Sequence, residues 1–394
     1  MGGWHLYLFQ RRRGFVETQQ TEMADPNDGQ TEKGVAAMPD SKLKKDGVVI
    51  GSSQLHDFVR EIFFHNGLSE EHAETVSYAL VKANLRGVDS HGVARVPMYC
   101  ERLRLGAANP QPQIEVSRVA SAVALVDGDN GLGLIVGKKG MAEAIHIAKE
   151  FGIGLVGVKR SGHYGMAALY ILQAIEAGCA GLAFTNASPA LPVWGGRDKF
   201  LGTNPFAAGA PSAGKPAFVL DMACSIIARG KLKFAAQRGE PIPEGLALDK
   251  NGRPTTDGHD AFEGVVLPFG GVKGAGLSML MDVFSGVLTG AAFGGEVRNP
   301  FTGLEGPQGT GHFFIALTAD LFMPLDAFKQ RMQTLTQRVK AQPLAQGFKE
   351  IQMPGEPEHR AEMARLKNGI PLTPDVIEAL NSEADRAGVS FPAL

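Results

Sequence analysis

From Ala122 to Leu317 the chain alternates short apolar runs with glycine turns and helical stretches, and no other feature constrains the fold as much. Ala122-Val123-Ala124-Leu125-Val126 predicts a strand, closed by the turn Asp127-Gly128-Asp129-Asn130-Gly131. A helix is predicted over Gly137–Lys149 and a buried strand over Gly154–Val158. The loop Ser161-Gly162-His163-Tyr164-Gly165 follows, then a helix reaching Gly178. Further strands are predicted over Ala180–Thr185, Ala217–Leu220 and His312–Leu317, with an apolar helix over Met279–Leu288. Such alternation argues an α/β class. The Rossmann variant lacks its fingerprint. No Gly-x-Gly-x-x-Gly follows a strand and opens a helix, and after Gly131-Leu132-Gly133 the next glycine is Gly137, the wrong spacing.

Both flanks read as helical. Ser52-Ser53-Gln54 caps a helix through Asn66, and Ser69-Glu70-Glu71 caps one through Arg86 that stops at Gly87. Val93 to Leu105 predicts a third helix, with Asp89 or Ser90 available as its cap. Asn109-Pro110-Gln111-Pro112 then breaks the pattern. The tail from Leu325 onward returns to amphipathic helices, expected to pack back on the N-terminal lobe. The predicted division is therefore a helical lobe over 48–118, an α/β cofactor domain over 119–320 and a return to the helical lobe over 321–394. Residues 1–47 are expected to be a disordered extension, polar from Glu17 to Asp46. There the apolar patch Trp4–Phe9 precedes Arg11-Arg12-Arg13, the reverse of a secretory signal. Met23 and Met38 are both available as alternative starts.

The chain has 394 residues, and its net charge of -2 offers no basic field for nucleic acid or an anionic membrane. No run of about twenty apolar residues predicts a membrane span. Cys100, Cys179 and Cys224 form neither a disulfide framework nor a Cys-x-x-Cys pair, so a reduced, cytoplasmic setting is expected. The histidines and carboxylates show no His-Glu-x-x-His or similar spacing, and no metal site is expected.

The motifs with chemical content lie in loops and helix starts. Ser90, His91 and Arg95 put a hydroxyl, an imidazole and a guanidinium at one predicted helix start, with His91 and Arg95 four apart on one face. Imidazole moves protons near neutral pH, arginine grips a carboxylate through two parallel bonds, and a helix N-terminus attracts an anion. Alone, Ser90 serves equally as a cap and Arg95 as a solvated residue. Gly162-His163-Tyr164-Gly165-Met166, Thr185-Asn186-Ala187-Ser188-Pro189 and Gly202-Thr203-Asn204-Pro205 are loops able to turn backbone N–H groups toward a ligand. Asp221-Met222-Ala223 ends an apolar strand with a carboxylate suited to a ribose hydroxyl. Lys273 stands among glycines before a helix, without the spacing of a P-loop. Each of these read singly is equally a turn or a cap.

As a set they resemble the malate/L-lactate dehydrogenase family of the non-Rossmann type, whose relatives include ureidoglycolate dehydrogenase, sulfolactate dehydrogenase, diketogulonate reductase and the cyclic imino acid reductases. The resemblance rests on Asp89-Ser90-His91-Gly92-Val93 with Arg95, Gly162-His163-Tyr164-Gly165, Gly202-Thr203-Asn204-Pro205, Asp221-Met222-Ala223, Gly230-Lys231, Lys273-Gly274 and Pro354-Gly355-Glu356, in that order over about residues 48–385. It implies a non-Rossmann mixed-sheet cofactor domain joined to a helical lobe from both chain ends, assembled as a homodimer. It implies NAD or NADP as cofactor and a small 2-hydroxy or 2-oxo acid as substrate. Ser90 and His91 then match a hydroxyl and proton-transfer pair, Arg95 the carboxylate binder and Thr203 a further substrate contact. In some relatives His163 transfers the proton instead, so both histidines are candidates. His163, Tyr164, Gly165, Met166, Ala167, Asp221, Met222, Ala223, Lys273, Gly274, Pro354, Gly355 and Glu356 match cofactor contacts. Lys231 stands where the imino acid reductases tend to carry an acidic residue, which favours acids over cyclic imines such as piperideine- or pyrroline-carboxylate. Arg160 is the candidate for a 2′-phosphate. The rival reading from another class is a small-molecule-binding dimer that has lost its chemistry.

Overall fold

A computed structural model describes residues 47–392, and the predicted polar extension lies outside the described residues up to that point. After a short strand, β1 (Val48–Ile50), come α1 (Ser52–His65), α2 (Glu70–Leu85) and, beyond two tight turns, α3 (Val96–Arg104). The Ser69 hydroxyl accepts the His72 N–H at 3.2 Å to start α2, and Gly87 at φ +77° turns the chain away at its end. The hairpin β2 (Glu115–Ala120) and β3 (Val123–Asp127) leads into α4 (Gly133–Phe151), β4 (Ile153–Ser161), α5 (Ala168–Glu176) and β5 (Cys179–Thr185). β6 (Phe206–Ala210) and β7 (Phe218–Met222) follow. Next come α6 (Arg229–Arg238), β8 (Ala247–Leu248), α7 (Gly258–Glu263), β9 (Val265–Val266) and α8 (Val272–Asp282), which runs on as a π-helical turn over Val283–Val287. The chain re-enters the sheet as β10 (Thr310–Thr318). It closes with α9 (Leu325–Lys340), α10 (Glu356–Asn368), β11 (Ile370–Leu372) and α11 (Pro374–Ala387).

Seven strands form one mixed sheet in the order β2-β3-β4-β10-β5-β6-β7. β3 and β4 run parallel with α4 as their crossover, and the other neighbours are antiparallel. This is the expected α/β class with a mixed sheet. β10 is central, and its Phe314 and Ala316 are fully buried beneath α4 and α5. Phe314 fills the space that Gly140 leaves on α4. The π-helical turn packs against β4, β5 and β10. The sequence pattern does not announce β2 or β6: β2 is a largely exposed edge, and β6 is built mostly from alanine and glycine.

The pairing register brings the site loops together. Asp127 pairs with Lys159, Ser161 with Thr310, His312 with Thr185, Phe184 with Phe206, and Phe206 with Met222. The ends of β3, β4, β5 and β7 and the starts of β6 and β10 therefore share one rim of the sheet.

The helical core takes residues from both chain ends, including Leu55, Phe63, Leu80, Tyr99, Ile370 and Leu380, and β1 pairs with β11. The tail does not return as one body. α10 and α11 pack on α2, α3 and α1, whereas α9 buries no residue and lies by the β6–β7 turn, where Ala213 N–H donates to Lys329 O at 3.2 Å. A further cluster around Leu191, Cys224, Leu232, Ala247 and Val266 gathers the segment between β7 and α8.

Candidate active site

The helix predicted from Val93 begins only at Val96. Pro97 is the reason: it lacks an N–H and fits only the first turn of a helix. Residues 89–95 instead form two short 3₁₀ turns, Asp89–His91 and Val93–Arg95. Gly92 between them is required, because a Cβ there would run into the Asn84 amide. Asn84 accepts the Val93 N–H at 2.8 Å and donates to Asp89 Oδ1 at 2.5 Å. Asp89 caps no helix; it receives both terminal nitrogens of Arg365, at 2.6 and 3.0 Å, so α10 braces the turn. Ser90 caps none either. Its carbonyl accepts Arg95 Nε–H at 2.6 Å, and its hydroxyl lies 3.0 Å from His91 Nδ1. The expected helix-start field is therefore missing, and the positive charge at this place is that of Arg95 itself.

The rim meets this turn at His163. The His91 and His163 rings stack at 5.5 Å between centroids, 18° from parallel. The Tyr99 hydroxyl lies 2.6 Å from His163 Nδ1, and Gln308 Oε1 accepts the His163 N–H at 2.8 Å. Burial, then the nearby Arg95 guanidinium, hold the His91 imidazole down to about 4. Burial, then His91 and Arg95, hold His163 well below the usual histidine range. Both rings nevertheless keep part of their surface open, as the walls of a cleft do. Burial raises the Tyr99 phenol, so it stays a neutral hydroxyl, hydrogen-bonded to His163 Nδ1 and with the His163 carbonyl as a further acceptor at 3.4 Å. Neither histidine's Nε2 has a hydrogen-bond partner among the described residues. Arg95 lies over the Phe301 ring, 5.0 Å from Cζ to centroid, and has no carboxylate partner among the described residues.

Ser90, His91, Arg95 and His163 are thus brought together. Among the described residues the remaining candidates make no hydrogen bond or ring contact with the two histidine side chains. Thr203 precedes β6, and its carbonyl accepts the Cys224 N–H at 2.7 Å. Tyr164, Met166 and Ala167 are buried in the sheet core, so only their backbone faces the rim. Gly165 takes φ +75°, where a Cβ would also meet Leu134. Asp221 Oδ2 accepts the Ala168 N–H at 2.8 Å and so caps α5; burial raises its carboxyl to about 6 against that bond. Met222 and Ala223 follow it, part-buried. Lys273 is exposed on the first turn of α8, with no ion pair among the described residues. Gly274 is required by the close passage of the Phe269 backbone. Pro354 O accepts the Val219 N–H on β7 at 3.2 Å, and Gly355 at φ +86° lets the turn lie on that strand. Glu356 is occupied by Lys340 and Arg360, at 2.6 and 2.5 Å, and by the Met353 N–H, so its carboxylate is committed to the scaffold. Arg160 is half-exposed and pairs with Asp127 at 3.1 Å and Asp129 at 2.7 Å.

Tyr99, Phe301 and Gln308 are site residues that sequence reasoning missed. Tyr99 had a usable signal, one helical turn beyond Arg95 as Arg95 is beyond His91. Phe301 and Gln308 lie some two hundred positions away and carry none.

Over residues 50–381 the chain matches the malate/L-lactate dehydrogenase family. It is 39% identical over 350 residues to malate dehydrogenase of Pyrococcus abyssi, covering 87% of this chain and 96% of that one. Among solved structures it is similar to sulfolactate dehydrogenase from Methanocaldococcus jannaschii, with a TM-score of 0.82 and 37% identity over 87% of this chain and 98% of that one. Malate dehydrogenase from Pyrococcus horikoshii OT3 matches with a TM-score of 0.82 and 36% identity, over 88% and 98%.

Proposed function

The chain belongs to the malate/L-lactate dehydrogenase family, and from that premise we propose that it moves a hydride between NAD or NADP and a small 2-hydroxy or 2-oxo carboxylic acid. One observation carries the reading at the site. Two stacked neutral imidazoles, each with an unpartnered Nε2, stand beside a guanidinium that has no carboxylate partner of its own among the described residues.

The residues at the rim fit a dinucleotide. Lys273 offers an unpaired ammonium for a phosphate. Asp221 Oδ1 has no partner among the described residues and is free to meet a hydroxyl. The Tyr164 hydroxyl is buried without a partner. The nicotinamide supplies or accepts the hydride. Arg95 does the clamping: its Nε is used by Ser90 O, and its two terminal nitrogens suit a carboxylate's two oxygens. Phe301 limits where that fork can swing. A histidine moves the proton of the substrate hydroxyl: His163, whose Nδ1 is engaged by Tyr99, has Nε2 open, which takes the proton when the hydroxy acid is oxidised and returns it from the imidazolium when the oxo acid is reduced. Burial is the main cause that holds both imidazoles down; a carboxylate on Arg95 offsets the lesser part due to that guanidinium and so raises their proton affinity.

The assembly we propose is a homodimer. Its support is an exposed apolar stripe on α8 and the turn after it: Met279, Leu280, Val283, Val287 and Leu288 are each 44–63% exposed. Three buried free cysteines suit a reducing, cytoplasmic setting. The deciding experiment is a panel of pyruvate, oxaloacetate, glyoxylate derivatives and piperideine- and pyrroline-carboxylates, with NADH and NADPH separately. Turnover of an oxo acid is the expected result. Turnover of the cyclic imines alone would move the chain to the imino acid reductases. Cofactor binding without turnover of anything would favour an inactive binding dimer.

A further inference from the structure

We propose that Arg102 is a positioning residue for the acid clamp: it fastens the 299–308 loop to α3 and so sets Phe301 beneath Arg95. The proposal rests on the reading of Arg95 as the carboxylate binder.

Arg102 is 3% exposed, a level at which a guanidinium is normally paired. No carboxylate meets it among the described residues. Its donors go to backbone carbonyls: Nη2 to Ala107 O at 3.1 Å and Gly306 O at 3.2 Å, Nη1 to Gly303 O at 3.1 Å and Pro300 O at 3.5 Å. Three of these four acceptors belong to one loop without regular structure.

That loop is also stitched from within. Asn299 Oδ1 accepts the Phe301 N–H at 2.9 Å, and Arg298 donates to Pro307 O at 2.8 Å and to Glu305 at 3.0 Å. These bonds hold the loop to itself and fix nothing relative to the helix that carries Arg95. Arg102 supplies that tie, because Arg95 and Arg102 are seven residues apart along one helical segment. The loop it holds then returns two groups to the site. Phe301 lies under the Arg95 guanidinium, and Gln308 accepts the His163 N–H. Arg102, Gln308 and His163 also line one small cavity, on the scale of a single water.

The test compares Arg102→Lys, Phe301→Ala and the double variant. Lysine keeps the charge but cannot span four acceptors. Each single variant is expected to raise KM for the acid about tenfold, the loss of an oriented cation–π support. Coenzyme affinity should move by less than about twofold, and the double variant should be no worse than either single. Hydrogen exchange in the 299–308 segment should speed up in Arg102→Lys and not in Phe301→Ala. Multiplying effects on KM, or unchanged exchange in Arg102→Lys, would overturn the proposal. Should Arg102→Lys not fold, Asn299→Ala decides: a threefold or smaller rise in KM supports Arg102 as the fastener, and a rise equal to that of Phe301→Ala overturns it. If the wild-type protein turns over no acid at all, the functional reading fails, and the exchange comparison still judges Arg102.

Discussion

His163 precedes Tyr164 in the chain and His312 stacks on the Tyr164 ring; both are held neutral, yet they differ in what their ring nitrogens have left to do. His312 is fully buried, stacked on Tyr164 at 4.8 Å, with Nε2 at 2.8 Å from the Ser161 hydroxyl and Nδ1 at 2.7 Å from that of Thr185. Its hydrogen-bonding capacity is used up in joining β4, β10 and β5. His163 spends one nitrogen on Tyr99 and keeps the other open, and His91 does the same with Ser90. The same residue type is thus scaffold in one place and reagent in the other. Low proton affinity does not separate the two roles, since burial depresses all three rings; the unspent nitrogen does.

The comparison is broken most easily by substitution. His91→Ala and His163→Ala are expected to lower kcat by about 10²–10⁴ with small changes in thermal stability. Whichever falls further identifies the proton-transfer residue; retention of full turnover in both would remove the chemistry from this cleft. His312→Ala should show the opposite split. It leaves the buried Ser161 hydroxyl unpaired, while Thr185 keeps the Gly311 carbonyl, and opens a cavity among three strands, costing about 3 kcal/mol in a denaturant titration. Turnover per folded molecule should stay within a few-fold of wild type. A loss of kcat comparable to that of His163→Ala would mean that His312 is part of the reacting machinery.

Arg95→Ala sharpens the same distinction from the substrate side. Losing a two-bond clamp on a carboxylate should raise KM for oxo acids by about 10–100-fold, with coenzyme affinity little changed. An unaltered KM for every acid in the panel would show that the carboxylate is held elsewhere on the rim.

How far the sequence discloses these roles follows from the range over which each is encoded. The α2 caps, the strands at β3, β4 and β5, and the grouping of Ser90, His91 and Arg95 are local, and they were legible in residues only a few positions apart. His163 was legible as a loop residue but not as the partner of His91, because that stack exists only once the helical lobe is laid on the rim. The helical period alone predicts α3 from Val93, whereas Pro97 marks its start at Val96. The amphipathic pattern of the tail predicts packing on the N-terminal lobe, yet α9 buries no residue. Phe301 and Gln308 were invisible, since their loop acquires its place through Arg102, some two hundred residues earlier. His312 read simply as the start of an apolar strand.

The smallest expected effect concerns stability against pH, and it too divides the two kinds of histidine. His312 is held down to about 3 by burial, whereas an unfolded chain protonates the same ring near 6.5. Between those values the unfolded state binds the extra proton, so His312 makes the protein less stable as pH falls from 6.5. Asp221 acts with the opposite sign. Its carboxyl is held above the usual carboxylate range but stands open to solvent at the end of β7, so water screens it, and its contribution, which fades as pH rises, is small. A His312→Gln variant removes the first term and leaves the second. Its stability deficit at pH 7 should therefore narrow by about 1 kcal/mol per pH unit below 6.5. His91→Gln should show the same trend more weakly, because solvent reaches its ring in the cleft and screens the charge. Parallel curves for wild type and His312→Gln would mean that the folded protein protonates this ring as readily as the unfolded chain does. The two histidines would then differ in position alone.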